Sequence, residues 1–189
     1  MLSEYPLTLA PQTLDNADPE ARAVLEKAKA QTGFIPNMYA RMANSPGLLA
    51  TYLDGYVRFR QQSGFTPVEQ EVVFLTISRE NGCEYCVGAH SVLADNLSKV
   101  PPAVTNAIRE GAPIPDARLA ALSQFARVMV AKRGLPSRAD VDGFLAAGYT
   151  ERHILEIVLA IAVKTLSNYA NHLFHTPLDE VFAARAWKD

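Results

Sequence analysis

"TPVEQEVVFLTIS", residues 66–78, decides the fold. Its β-branched and aromatic content invites a strand, and so short a run has too few periods to tell a buried strand from a buried helix. The opening residues settle the choice. Thr66, Pro67 and Glu69 form a capping box with proline at the first helical position, a start signal that a strand does not need. The stretch therefore predicts a helix, and its nearly continuous apolar content makes that helix a buried one. It is expected to end at Asn81-Gly82, two residues that tolerate the left-handed backbone with which helices close.

The same punctuation runs outward in both directions. Upstream, Asp18-Pro19 opens "EARAVLEKAKAQ", which stops at Gly33, Pro36 starts a short helix, and Ser45-Pro46 starts another that closes at Gly64. Downstream, Pro101-Pro102 opens a helix ending near Gly111, Asp116 one reaching Arg133-Gly134, and Ser137 one ended by Gly148. Thr150 caps the long apolar "ERHILEIVLAIAVKTLSNYANHL". No segment reads as a sheet, so the fold class is all-α, a single helical domain over 18–189. Residues 1–17 read as an extended arm, because Pro6 and Pro11 prevent a helix of any length. An offset of 84 residues pairs Thr66 with Thr150, Ile77 with Ile161, Cys83 with Ser167 and Tyr85 with Tyr169. That pairing leaves an internal duplication and a chance match of two buried helices both open. If it is real, the second copy has lost the sulfur.

Bulk numbers narrow the function. Eighteen basic against twenty acidic residues in 189 give a formal charge of -2, without the basic excess of a nucleic-acid binder. The start of the chain lacks a basic segment followed by an apolar block. The apolar stretch 154–163 is interrupted by Glu156 and is too short to span a bilayer. Two cysteines are no secreted disulfide framework. The expectation is a cytoplasmic protein with neither nucleic acid nor membrane as partner, in which the cysteine pair needs a chemical explanation.

That pair lies in "ENGCEYCVGAHS", residues 80–91. Gly82 ends one helix, so Cys83 falls at or just before the first turn of the next, Cys86 inside it, and His90 one turn on, on the face of Cys86. Free N–H groups at a helix start favour a thiolate, and in Cys-x-x-Cys settings thiol pKa values fall to about 3.5–7.5 from about 8.5. A second thiol within reach allows a disulfide after the first oxidation, and His90 can take a proton from Cys86 directly or through a water. Two bland alternatives compete: a pair of packed thiols, or a zinc site in which His172 or His175 joins Cys83, Cys86 and His90. Glu71 is either a buried carboxylate with a raised pKa, suited to proton transfer, or a solvent-facing residue of the first turns like Glu69 and Gln70. Histidine near a helix end complements the dipole, so His172 and His175 read first as structural; the duplication also allows Tyr169 and His172, with Tyr85, to line a pocket. His153 reads as solvent-facing, and Phe182 and Trp187 as a terminal segment that docks on the body or on a neighbouring subunit.

The spacing Glu-x11-Cys-x2-Cys-x3-His, from Glu71 to His90, resembles the active site of alkylhydroperoxidase D, in the carboxymuconolactone decarboxylase-like superfamily. "PVEQEVVFLTISRENGCEYCVGAH" is similar to the core of its peroxidase-related members, and "GFIPNMYARMANSPGLLATYLDGY" and "SNYANHLFHTPLD" to their flanks, so the likeness covers about residues 30–182. The resemblance implies an all-α bundle with a redox core over about 66–98, assembled as a homo-oligomer: a trimer or hexamer, or else a dimer. It implies a peroxidase cycle without cofactor or metal. Cys86 would attack a hydroperoxide and become a sulfenic acid, Cys83 would be proton donor and resolving thiol, and Glu71 and His90 would form the proton relay. An external dithiol or a protein reductant would close the cycle. At one position this chain departs from the pattern: Tyr85 stands where alkylhydroperoxidase D has a histidine, and a phenol with a pKa of about 10 is a poor proton acceptor. Two readings from other classes remain: a redox sensor or disulfide-exchange protein using the same pair, and a non-enzymatic oligomeric helical protein with a vestigial site.

Overall fold

The computed structural model describes residues 2–188. Helix α1 spans Pro19–Thr32, α2 Asn37–Met42, α3 Pro46–Gln62 and α4 Pro67–Glu80. Helix α5 spans Glu84–Leu93 and runs into a π-helical turn, Ala94–Ser98; α6 is Pro102–Glu110, α7 Ala117–Ala131, α8 Arg138–Ala146 and α9 Glu151–Phe174. A 3-10 turn at Glu180–Arg185 follows. No strand occurs among the described residues. The all-α expectation holds.

The capping box at 66–69 forms as anticipated: Glu69 N–H donates to Thr66 Oγ1 at 3.3 Å, and Thr66 N–H donates to Glu69 Oε2 at 2.8 Å. Every residue from Glu69 to Ser78 is buried. Such burial all round a helix requires neighbours on every side, and α4 has them: α5, α6, α7 and α9 all pack on it. Helix α9 crosses this core helix and also packs on α2 and α3. By length and composition it could cross a membrane, but its inner face, with Ile157, Ala160, Val163 and Ser167, is part of the core of the bundle.

Several local expectations are corrected. Glu69 and Gln70 do not face solvent: Glu69 meets Arg118 at 3.0 Å, and the Gln70 amide donates to the carbonyls of Arg60 and Phe65, both at 3.0 Å. His153 is not simply solvent-facing: its Nδ1 accepts from Thr150 N–H at 3.1 Å, closing the α9 N-terminus, and its ring lies 4.5 Å from Phe65. The chain end docks on the body. Trp187 Nε1 donates to the Arg109 carbonyl at 3.1 Å, and Phe182 packs edge-on against Tyr85. The extended arm lies along the end of α9, with Leu7 N–H donating to the Leu173 carbonyl at 2.8 Å.

Candidate active site

Gly82, at φ +64°, turns the chain sharply between α4 and α5, in a left-handed conformation that suits glycine. Cys83 follows as the N-cap of α5, its N–H donating to the Ser78 carbonyl at 2.9 Å. Cys86 therefore falls in the first turn, where backbone N–H groups lack helical partners. Both cysteines are buried free thiols, about 3.5 Å apart.

The carboxylate, imidazole and thiols do come together, with an unexpected group between them. Glu71 is buried and accepts from His90 Nδ1 at 2.8 Å and from Arg60. The other ring nitrogen, His90 Nε2, lies 2.9 Å from Lys164 Nζ. An ammonium can only donate, so Nε2 accepts and Nδ1 carries the hydrogen: His90 is the neutral imidazole, protonated on the Glu71 side. Burial, and after it the Lys164 charge, hold its pKa below the ordinary imidazole value. Burial pushes the Glu71 carboxyl up, but His90 and Arg60 outweigh it and keep the group ionised.

Lys164 has 0% exposure and no carboxylate ion pair among the described residues. A buried ammonium without a counter-charge is costly, and Cys86 is the group that can supply one. Burial opposes ionisation of Cys86, yet the hydrogen bond from Cys83 and the Lys164 charge overcome it, and its pKa falls well below the usual thiol value. Cys83 moves the other way, raised by burial and by its role as donor to Cys86. Asn171 Nδ2 adds a donor 3.3 Å from Cys86 Sγ and 3.8 Å from Cys83 Sγ, and Ser167 Oγ lies 3.9 Å from Cys86 Sγ. The result is an ordered line, Arg60–Glu71–His90–Lys164–Cys86, that can hold a thiolate and carry a proton to or from it.

Beside the expected direct or water-mediated proton transfer between Cys86 and His90, the geometry places Lys164 against the ring. Cys86 and His90 share a helix face, but the ring turns to the buried ammonium, which needs an acceptor. With both ring nitrogens engaged, His90 presents none to a metal, and no group of three or more His, Cys, Asp or Glu among the described residues could hold one. Arg60 and Lys164 escaped the sequence reading, and Ser167 entered it only as the counterpart of Cys83 in the possible duplication. One signal was available: Ala160, Lys164, Asn168 and Asn171 repeat at helical spacing on one face of α9, and a lysine within so apolar a run marks a polar stripe facing inward.

A cavity of about 450 Å³ adjoins the thiolate, lined by Cys86, His90 and Lys164. Tyr39, Tyr52, Tyr56, Phe34 and Phe182 give it aromatic walls. Tyr85 lines it as well, but its hydroxyl donates to Asp179 Oδ2 at 2.5 Å, and burial, then that carboxylate, raise its pKa. Tyr85 is thus a wall and a tether for the chain end, outside the proton line. Tyr169 does not line the cavity: it is 56% exposed and stacks on His172 at 6.3 Å. On α9 the inward positions are Asn168 and Asn171, and one step of about 100° turns Tyr169 outward. His172 lies on the Cys83 side, lining a separate small cavity with it.

Solved structures share this fold. A peroxidase-related protein from Ralstonia eutropha JMP134, described as an alkylhydroperoxidase AhpD core, superposes with a TM-score of 0.79 at 22% identity, covering 95% of this chain and 97% of its own. A peroxidase-related protein from Silicibacter sp. TM1040 gives 0.75 at 22% identity, with the same coverages of 95% and 97%. The debrominase Bmp8, as a cysteine-to-alanine variant in complex with 2,3,4-tribromopyrrole, gives 0.75 at 17% identity, covering 95% of each chain. No protein-family model and no curated protein matches the chain. The fold is the alkylhydroperoxidase D-like one that the cysteine motif implied.

Proposed function

We propose that the protein is a thiol-dependent peroxidase acting on organic hydroperoxides. The observation that carries this reading is Cys86, a buried thiol whose pKa is lowered by the Cys83 hydrogen bond and the Lys164 charge, beside an aromatic-walled cavity. The Cys86 thiolate attacks one oxygen of ROOH, forming an S–O bond and breaking the O–O bond. The departing alkoxide takes a proton and leaves as ROH. Lys164 is the donor at hand, and His90 and Glu71 lie behind it in the line. Cys83, kept protonated, then condenses with the sulfenic acid, releasing water and leaving a Cys83–Cys86 disulfide. An external dithiol restores the pair and is itself oxidised, so no cofactor is needed for electron balance. Assembly as a homo-oligomer in a reducing cytoplasm belongs to the same reading.

Stopped-flow mixing of the pre-reduced protein with cumene hydroperoxide tests it. Consumption well above that of free cysteine, abolished in Cys86→Ser, supports the enzyme; a Cys83→Ser variant should stop after one turnover with a sulfenic acid that dimedone captures. A wild-type rate no higher than that of free cysteine rules the peroxidase out, and a disulfide that no dithiol recycles points to a sensor.

The aromatic walls favour a second reading, suggested by the bromopyrrole complex of the structural neighbour. The same dithiol could supply two electrons to an aryl halide: ArBr and two thiols give ArH, a disulfide, bromide and a proton. Bromide release from a brominated pyrrole, measured beside hydroperoxide consumption, separates the two.

A further inference from the structure

The two cysteines, both buried, line different spaces. The large aromatic cavity is lined by Cys86 and not by Cys83. A small one, of about 80 Å³, is lined by Cys83 and not by Cys86, together with Leu2 of the N-terminal arm, His172, His175 and Thr176. Its frame is tied together: Ser3 N–H donates to the His172 carbonyl at 3.3 Å, and His175 Nε2 donates to the Ser3 carbonyl at 2.8 Å. His172 Nε2 is buried with no hydrogen-bond partner among the described residues. Tyr85 lines both cavities and, held by Asp179, forms the wall between them.

We propose that oxidant and reductant reach the dithiol from opposite sides: the hydroperoxide meets Cys86 in the aromatic cavity, and the reductant, a thiol on a slender arm, meets Cys83 through the small one. The inference rests on the dithiol cycle above and specifies its second half. The incoming thiolate RS⁻ attacks Cys83 Sγ, forming an RS–S bond and breaking the Cys83–Cys86 bond. The electron pair leaves on Cys86, where Lys164 and Asn171 receive it. A second thiol of the same reductant then attacks the RS sulfur, closes the reductant's own disulfide and expels Cys83, which takes up the proton that this thiol gives up. The chemistry favours that direction as strongly as the access does. The thiol with the lower pKa is the better leaving group, and that thiol is Cys86. Attack on Cys86 would instead make Cys83 the leaving group of the first, ring-opening step. A cavity this small admits an unbranched thiol arm but not a folded surface.

The test begins from a disulfide made with diamide, so it can be read whether or not any hydroperoxide turns over. The oxidised protein is mixed with 2-mercaptoethanol, quenched in acid, alkylated and mapped by fragment spectra of the peptide carrying both cysteines. The adduct is expected on Cys83, with Cys86 alkylated; an adduct mainly on Cys86 overturns the proposal. Rates give an independent check in two opposed directions. Thr176→Phe, which fills the small cavity, should slow the exchange by about tenfold, and Leu2→Gly, which widens its mouth and touches no core, should speed it by about threefold. If Leu2→Gly leaves the rate unchanged and a normally melting Thr176→Phe stays within about twofold of wild type, the small cavity is not the route. Absence of hydroperoxide consumption alongside a Cys83 adduct would reject the peroxidase and leave the route standing.

Discussion

Replacing Lys164 with methionine probes the chemistry of the site most directly. The side chain keeps most of its length and loses its charge, so the space stays largely filled while Cys86 loses its counter-ion. A hydrogen bond to a charged group contributes about 1.5–3 kcal/mol, and one pKa unit corresponds to about 1.4 kcal/mol. Losing Lys164 should therefore raise the Cys86 pKa by about one to two units. At a pH below the wild-type Cys86 pKa the thiolate fraction, and with it the rate of attack on an electrophile, should fall by about ten- to a hundredfold. The assay is the pH dependence of iodoacetamide alkylation of Cys86 in a Cys83→Ser background, followed by mass, with thiolate ultraviolet absorbance as a second signal. Because that background also lacks the Cys83 hydrogen bond, the comparison is made with Cys83→Ser alone. The expected shift is toward higher pH. The exchange relieves the desolvation of a buried ammonium but leaves His90 Nε2 without its donor, so alkylation and not stability is the readout. An alkylation profile that Lys164→Met leaves in place would refute the pairing of Lys164 with Cys86.

Other outcomes follow from the same geometry. His90 resists protonation when folded, whereas the unfolded chain binds that proton near pH 6.5; stability should drop as pH falls through about 6.5, less so in His90→Gln, as thermal melts at stepped pH will show. Cys86 is depressed in the folded state, so it adds stability that is complete above the unfolded thiol value of about 8.5 and fades as pH falls toward its folded pKa; Cys86→Ala should flatten that rise in urea titrations. Tyr85→Phe removes the donor to Asp179 and should cost about 1–2 kcal/mol in urea melts; it should leave hydroperoxide consumption within a few-fold, since the phenol is outside the proton line. Gly88→Ala places a Cβ 3.1 Å from Leu178 and 3.4 Å from the Arg185 carbonyl; limited proteolysis should then cut the segment after α9 sooner than in wild type.

How much of this was legible beforehand depends on the reach of each interaction. The capping box at Thr66 and the glycine at 82 act over three or four residues, so their reading from sequence held. The placement of Cys83 at the α5 N-cap, with Cys86 in the first turn, held for the same reason. Glu71 and His90 were recognised by spacing, and the structure joins them at 2.8 Å. What lay hidden arrives from far along the chain. Lys164 is 74 residues beyond His90, Asn171 is 85 beyond Cys86, and Asp179 is 94 beyond Tyr85. The spacing on α9 marks an inward polar stripe, but no local pattern says which distant groups it meets. A lysine is also ordinarily assigned to the surface, and only the inward register of α9 reverses that assignment. The misplacement of Tyr169 has the converse origin: matching it to Tyr85 by offset ignored the helix face on which each stands.

The distance between Lys164 and the cysteines also sets a schedule for synthesis. A ribosome completes the Cys83–Cys86 pair long before the lysine that acidifies it has been made. Until α9 emerges and docks, those sulfurs are ordinary thiols, largely protonated at neutral pH and slow toward peroxide. Acidification of Cys86 thus waits for completion of the fold, and under the proposed cycle an unfinished chain is spared the oxidation that the finished one undergoes.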